Sequence, residues 1–504
     1  MNLLLCTAIN AMLAVSPTGG DTASVMVRAH EWWAPALQLS QAAHTSPALR
    51  PLRHQHSLSE LNLRGHASRT TAALEPQTGL GWQGIAVHGR SHRTLRNEAT
   101  AWGDALYQSG MHRSVRWNET ADYQRLRPYV AADSLGGHLH SEQYQFEGGT
   151  AFGLGEWTLG GELGFSALQE HRRTDPRPRN RFGTMQFRFG LARNVGHRYA
   201  LGIDAAAQKY KQRGTISYYN ERGVSSTYHL QGLGLSYARF DGSNTSTSYS
   251  GHLLEAGLGL APTSANGGLS AALRTTTQRY EKVLIGVNDL VLNELRTAQH
   301  LAEVGWRRTD GRGTAGVSAQ AVLSTRTGTE VLYGDAANNE YPRLSSAEQY
   351  SELALQAQVM GLFERIASPR WRWHVLPGAC YAQSTEKHLQ PHNELTYSHI
   401  NAQLALGSTW RLGKTLLLMR LGGAYGHALQ AEQMLTHTVN AYARRIETER
   451  YDMARAHRTS LGAQARVAIP VGATLLHIDI EGQHAAYSNG HSAWDAGMSI
   501  GLCI

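Results

Sequence analysis

From Trp157 onward, apolar and polar side chains alternate with a period of two. Trp157, Leu159, Gly161, Leu163 and Phe165 fall on one side of the chain, and Thr158, Gly160, Glu162, Gly164 and Ser166 on the other. A strand sends successive side chains to opposite faces, so this is a strand with one greasy and one small or polar face. The pattern returns around 185–191, 199–207, 353–359, 400–406, 461–469 and 476–480. It closes the chain at 494–504, where Trp494, Ala496, Met498, Ile500, Leu502 and Ile504 oppose Asp495, Gly497, Ser499, Gly501 and Cys503. Charges and amides keep to one face throughout, and a one-residue slip would carry all of them to the other. A first group of strands is predicted over 56–68, 79–93 and 100–115, followed by a polar loop over 117–137.

The connections alternate too. Tight turns are predicted at 154–156, 194–197, 263–267, 310–313, 413–414 and 471–472, and long polar loops at 172–181, 212–248, 327–342 and 430–451. Short turns on one rim and long loops on the other predict an all-β fold, a transmembrane antiparallel up-and-down β-barrel of about eighteen strands with periplasmic turns and extracellular loops. This count takes 228–240 as part of one external excursion. Strands of about 12–18 residues exceed the roughly 9–11 that cross a bilayer, so some should project beyond it. Trp157, Trp306, Trp371, Trp373 and Trp410 sit near turn ends, with Tyr487 and Trp494 near the opposite ends, where interfacial girdles belong.

Composition supports one large barrel. The 504 residues include 52 Gly, 21 Tyr and 11 Trp but only 14 Pro, with no linker or low-complexity tract. No run approaches the roughly 20 apolar residues of a spanning helix, and mean hydropathy is −0.37. A barrel tolerates this because half of its strand residues face a polar lumen. Residues 1–23, with Leu3-Leu4-Leu5 and an apolar 8–15 stretch, predict a secretory signal, though without the usual leading Lys or Arg. Residues 24–55, containing Glu31-Trp32-Trp33, are predicted as a periplasmic or plug segment, and 56–504 as the barrel.

Net charge is +8, yet the arginines are scattered over strands and loops rather than clustered with aromatics, which argues against nucleic acid. Cys6, Cys380 and Cys503 have no metal or disulfide spacing. Among 25 histidines, His54-Gln-His56 and His138-Leu-His140 place two imidazoles on one face, but spacing supplies no third ligand. Ser460, His457 and several Asp residues lack any Gly-x-Ser-x-Gly or recognisable barrel-hydrolase motif. The prediction is therefore a non-enzyme with no cofactor and no metal.

Trp117-Asn118-Glu119, the 128–137 run Pro-Tyr-Val-Ala-Ala-Asp-Ser-Leu-Gly-Gly and the 142–149 run Glu-Gln-Tyr-Gln-Phe-Glu-Gly-Gly resemble an uncharacterised outer-membrane β-barrel family of Gram-negative anaerobes, filed as a domain of unknown function. The segments 175–180 and 232–240 resemble it as well, and the resemblance covers the chain from Trp32 onward. It implies a barrel in the outer membrane and no particular activity. The chain departs from the usual pattern in ending on Ile504 rather than an aromatic residue.

Two loops hold the candidate contacts. Asp175, Arg177, Arg179 and Asn180 surround two prolines beside Arg172 and Arg173, which suits either an anion contact through bidentate arginines or a loop locked by Asp–Arg pairing. Trp117, Glu119 and Asp133 belong to a loop long enough to fold inward and narrow a pore. Glu162, Arg188, Glu255, Glu303, Glu352, Arg466, Asp479 and Glu481 are predicted in the lumen, lining a wet pore or pairing to close it. The expected function is a channel or transporter for a small solute. The alternative is a non-conducting scaffold barrel partnering a surface receptor or secretion complex, and a membrane-embedded hydrolase is the remaining reading.

Overall fold

A bilayer offers no water to a backbone amide, so strands that cross it must satisfy one another in a closed ring. The computed structural model describes residues 23–504 apart from 96–98, 221–226, 243–245, 286–288 and 338–339. The predicted signal at 1–23 lies, but for its last residue, outside them. In chain order the strands are β1 (Leu58–Thr70), β2 (Gly81–Thr94), β3 (Thr100–Val115), the two-residue β4 (Ala131–Ala132), β5 (Gly137–Leu154), β6 (Trp157–His171), β7 (Arg177–Val195), β8 (Tyr199–Ser217), the short β9 (Tyr228–Gly232) and β10 (Leu235–Ser236). There follow β11 (Ser246–Pro262), β12 (Gly267–Ile285), β13 (Leu290–Asp310), β14 (Gly313–Tyr333), β15 (Arg343–Ser368), β16 (Trp371–His388), β17 (Asn393–Leu412), β18 (Thr415–Leu435), β19 (Arg458–Val471), β20 (Thr474–Tyr487) and β21 (Ser492–Cys503).

All but β4, β9 and β10 form one 18-stranded antiparallel sheet. It closes where β1 pairs with β21, Leu63 opposite Ile500 and Ala67 opposite Ala496. Along β21 the outward Trp494, Ala496, Met498 and Ile500 are exposed while Gly497, Gly501 and Cys503 are buried, which is the alternation the sequence predicts. Exposed Leu159, Leu163, Phe165, Phe187, Phe189, Ile203, Leu258, Leu404 and Leu421 continue the outer belt. So much exposed apolar surface is compatible only with hydrocarbon around it. Trp157, Trp306 and Trp371 stand exposed beside the turns.

The long-loop expectations need correction. β7 already begins at Arg177, so the loop predicted at 172–181 shrinks to 172–176; β14 runs on to Tyr333 and β18 to Leu435. Strands reach 26 residues in β15, well past the expected 12–18. Above the membrane both faces of a strand are polar, so alternation fades while the backbone ladder continues. Part of the predicted 430–451 loop is helical, and the 228–240 stretch adds no strand to the barrel wall, pairing instead in a three-stranded sheet of β4, β9 and β10.

Two bodies occupy the interior. From the periplasmic side come helix α1 (Val25–Trp32) and the 3-10 turns Pro35–Ser40, Ala43–Thr45 and Arg50–Leu52. From the extracellular side come 116–136, 227–242 and 436–457, bearing α2 (Tyr123–Leu126) and α3 (Ala441–Ala454). Asn440 caps α3 by accepting from the Ala443 amide at 2.8 Å.

Candidate functional site

The lumen and its two stoppers form the candidate site. The predicted lumen charges are engaged one by one. Glu162 lies 3.0 Å from Arg50; Arg188 bonds Asp204 at 2.8 Å and Glu255 at 2.5 Å; Arg274 joins the same two carboxylates. Glu303 accepts from the Ala42 amide at 2.9 Å, Glu352 meets Arg127 at 2.6 Å, and Arg466 pairs with Asp479 and Arg64 with Glu481. Buried charges are stable only when matched in this way. Two of the partners, Arg50 and Ala42, belong to the N-terminal segment, and one, Arg127, to an extracellular loop.

Six inward glycines receive the N-terminal segment. A Cβ on Gly160 would sit 2.5 Å from the Pro47 carbonyl carbon, one on Gly190 2.7 Å from Ser46 Oγ, and one on Gly202 2.9 Å from the Leu49 side chain. On Gly259 it would stand 2.8 Å from Leu49 Cδ1, and on Gly305 and Gly316 it would collide with Leu39. The tryptophans of α1 grip the wall: Trp33 Nε1 donates to Glu60 at 3.2 Å, Arg466 covers the Trp33 ring at 4.1 Å, and Arg90 covers Trp32 at 5.1 Å. His44, buried in this segment, donates from Nδ1 to the Ser40 carbonyl, 2.7 Å away. Burial, opposed by that bond and reinforced by Arg53, Arg307 and Arg50, lowers its pKa to about 4.

The extracellular stopper has a core of its own. Trp117, Leu126, Tyr129, Val130, Leu230, Tyr350 and Ile446 are fully or nearly buried together. Arg450 of α3 bonds Glu386 and Glu447, each at 2.8 Å, and Arg127 reaches Glu386 at 3.3 Å. Burial alone would weaken the protonation of both arginines; the surrounding carboxylates hold it well above the ordinary value. Lys282 donates to the Val130 carbonyl at 3.0 Å and Tyr249 to the Tyr129 carbonyl at 3.1 Å, tying the 116–136 loop to the wall.

The predicted contact residues divide between inside and outside. Trp117 is buried against Tyr228 and Tyr442, with ring centroids 5.0 and 5.6 Å away. Asp133 is completely buried; it accepts from the Leu135 and Gly136 amides at 2.7 and 2.5 Å and pairs with buried Arg172 at 2.8 Å. Asn180 donates to the Glu119 carbonyl at 2.8 Å. The Glu119 side chain is 1 % exposed, and burial and then the neighbouring Asp133 raise its pKa well above the usual carboxylate range. Asp175 and Arg177 lie at the outer rim, paired at 2.7 Å, with Asp175 also capping the Tyr219 and Asn220 amides and Arg177 stacked 4.2 Å from Tyr219. Arg179 is exposed on the outer wall. The seven residues thus never converge on one solute-sized site.

Polar cavities remain between the stoppers. One of about 580 Å³ is lined by Gln38, Arg64, Gln403, Arg420, Gln464 and Glu481. Another of about 380 Å³ is lined by Asp104, Arg125, Gln143, Gln145, Gln186 and Gln208. Amides beside arginines and carboxylates offer donors and acceptors of both kinds, a lining suited to small polar molecules. The sequence did not reveal the cluster at the foot of the barrel, where Glu60, His477 and Cys503 bring ligand-type atoms within 4.8 Å of one another. The Glu60 carboxylate is already engaged by Arg90 at 2.5 Å and by Trp33, and His477 by Asp479 at 2.9 Å, so the group acts as a charge network under α1. The predicted histidine pairs do not gain ligands: His54 stacks on Trp32, and His140 on His171.

The chain belongs to a family of unknown function (DUF6850), whose model matches residues 47–504. No curated protein matches it in sequence. Solved structures similar to it include the ferric-catecholate import receptor Fiu from E. coli K12, 7 % identical, covering 90 % of this chain and 82 % of that one with a TM-score of 0.37. BauA, the ferric preacinetobactin receptor from Acinetobacter baumannii, is 10 % identical over 88 % of this chain and 80 % of its own, with a TM-score of 0.37. OccAB4 from Acinetobacter baumannii is 10 % identical over 90 % and 99 %, with a TM-score of 0.32. At this level of likeness they assign nothing to this chain.

Proposed function

We propose that this member of a family without an assigned activity is a gated outer-membrane barrel that passes a small polar solute, with residues 24–55 as its periplasmic plug and 1–23 as its export signal. The observation that carries the reading is the division of the interior. Amide-lined cavities lie between two stoppers, and the periplasmic stopper is one continuous segment seated in a glycine cradle rather than part of the wall. A segment joined to the wall at only one end, at β1, can leave without breaking a single rung of the barrel ladder. Planar-bilayer recording tests this. The full chain should be closed or nearly so, and a variant lacking 24–55 should conduct steadily. A deletion variant that folds, as judged by heat-modifiable gel mobility, and yet stays closed would overturn the reading.

A scaffold barrel that partners a surface complex is the second reading, and one observation favours it. The extracellular stopper is locked by buried ion pairs and an aromatic core, as a permanent lid would be. Retention of a stable partner by the intact barrel, together with silence of the plug-deleted one, would decide for it.

A further inference from the structure

The outer faces of β7 and β8 carry five exposed cations close together. Arg179 and Arg181 on β7 and Lys209, Lys211 and Arg213 on β8 are all exposed, while Tyr210 and Gln212 between them point inward and are buried. Among the described residues none of the five has an ion-pair partner. Asp175, at this rim, is committed to Arg177 and to two backbone amides, and Glu142, two strands from Arg181 on the outer face of β5, accepts from the Tyr107 and Tyr144 hydroxyls. On the flanking outer face of β5 and β6, His140 and His171 stack 5.3 Å apart and add no negative charge.

The position is as telling as the sign. Cross-strand register places Met185 opposite Lys209, Phe187 opposite Ala207 and Phe189 opposite Ala205, so the cations start on the rung directly above the lipid-facing belt. Lys211 follows opposite Gly183, and Arg213 lies directly opposite Arg181. Four residues at about 3.3 Å each, tilted by roughly 40°, span about 10 Å of height, the depth of a headgroup layer. Like charges directly opposite on neighbouring strands destabilise a sheet unless a counter-charge sits between them. On β12, β13, β16 and β17, by contrast, protein carboxylates answer such cations: Arg279 and Arg296 share Glu294 at 2.7 and 2.6 Å, and Lys387 meets Glu394 at 3.1 Å.

We propose that the outer faces of β7 and β8 bind the phosphorylated headgroup of an outer-leaflet glycolipid. Charge-assisted bonds from three arginines and two lysines match a phosphorylated headgroup, and the apolar belt below matches its acyl chains. The inference rests on the membrane-spanning fold and is independent of whether the lumen conducts. The probe is diphosphorylated lipid A added to the purified full chain in detergent, with bound lipid counted by native mass spectrometry. The intact chain should retain it at least tenfold over dephosphorylated lipid A, and at least tenfold over the R181A/K211A/R213A variant. An R279A/R296A variant should retain it like the intact chain. Equal retention of the dephosphorylated lipid by the intact chain would overturn the proposal, a comparison that stands even if the triple variant fails to fold. Inorganic phosphate that displaces the lipid at equimolar concentration would also overturn it, by marking a free-anion site instead.

Discussion

The two stoppers fill the same pore from opposite ends and are built on opposite principles. The extracellular one interlocks three chain segments around a shared aromatic core and fixes them with charges that are only 3–5 % exposed at Arg450, Glu386 and Glu447. Arg116 of the first segment pairs with Glu449 of α3, and Arg127 and Arg450 share Glu386, so removing either segment strands charges of the other and the two should behave as one cooperative unit. The periplasmic one is a single short segment. It makes its own turns, touches the wall through backbone and small side chains at glycines, and is pinned by two tryptophans under arginines. Its polar attachments are few, Arg50 to Glu162 and the Ala42 amide to Glu303 among them, and its cation–ring contacts contribute about 0.5–1 kcal/mol each. The difference teaches where motion belongs. A stopper held by many weak and separable contacts can be released in steps, whereas one held by buried charge pairs can only be dismantled.

The sharpest break in this comparison is at Asp133. Asp133→Asn keeps the acceptor for the Leu135 and Gly136 amides but leaves Arg172, buried beside it, without its counter-charge. The expected cost is about 3 kcal/mol. It should be read as faster limited proteolysis within 116–136 and an earlier first unfolding transition in urea, with the barrel strands still protected. Unchanged cleavage kinetics would mean that the stopper is not cooperative.

The periplasmic stopper should respond to acid instead. In the folded protein burial holds His44 neutral with a pKa of about 4, against 6.5 in an unfolded chain. A depressed histidine favours the folded, docked segment above about pH 6.5, and this stability is lost as the pH falls toward 4, because the undocked form takes up the proton more readily. Between pH 6.5 and 5 the loss should be roughly 2 kcal/mol, at about 1.4 kcal/mol per unit. Bilayer conductance or Trp fluorescence should show the segment loosening over that range in the intact chain, and His44→Leu should reduce the response, the remainder being carried by His30 and His54 of the same segment, whose pKa values burial also lowers. An acid response of undiminished size in His44→Leu would place the sensor elsewhere.

A smaller effect is expected from the cradle. Gly259→Val would press a side chain against Leu49, which a bare Cβ would already approach to 2.8 Å. Overpacking of this kind should weaken docking by about 1–2 kcal/mol. Channel openings should become more frequent while the gel mobility of the folded barrel stays normal. Gly164→Val, on the same polar face but where a Cβ would meet Gln186 Cβ at 3.6 Å rather than the segment, is the matched control.

The barrel itself was legible because lipid imposes a strict two-residue period: β21 follows the alternation of 494–504 residue by residue. Where lipid ends the signal ends, and so Arg177, Arg179 and Arg181 read as a loop although they are the start of β7. The small residues of the polar face, Gly160, Gly202, Gly259 and Gly305 among them, looked like filler. Their reason is a segment more than 100 residues away in the chain that lies against them. The 117–137 loop was visible as long enough to fold inward, and Trp117, Glu119 and Asp133 do lie inside. What the sequence could not supply was the partner of each, since Arg172, Asn180 and Tyr442 arrive from three other connections or strands. The Glu60, His477 and Cys503 network is hidden for the same reason, its members coming from the first strand and the last two.

The smallest expected effect is also the most discriminating. Glu119 and Asp133 compete for the single buried cation Arg172, and Asp133 holds it at 2.8 Å. Two ionised carboxylates sharing one guanidinium in a buried site would leave a net negative charge, so the carboxyl that loses the competition keeps its proton; burial and Asp133 both push Glu119 that way. Glu119→Gln replaces a neutral acid by a neutral amide of the same shape and should change stability by less than about 0.5 kcal/mol. In the Asp133→Asn background Glu119 can ionise and take over part of the pairing with Arg172. Removing it there should therefore cost more than it does alone, by about 1 kcal/mol of coupling in a double-mutant cycle of urea unfolding. Strict additivity of the two substitutions would show that Glu119 never serves Arg172, and that Asp133 alone holds the lid's buried charge.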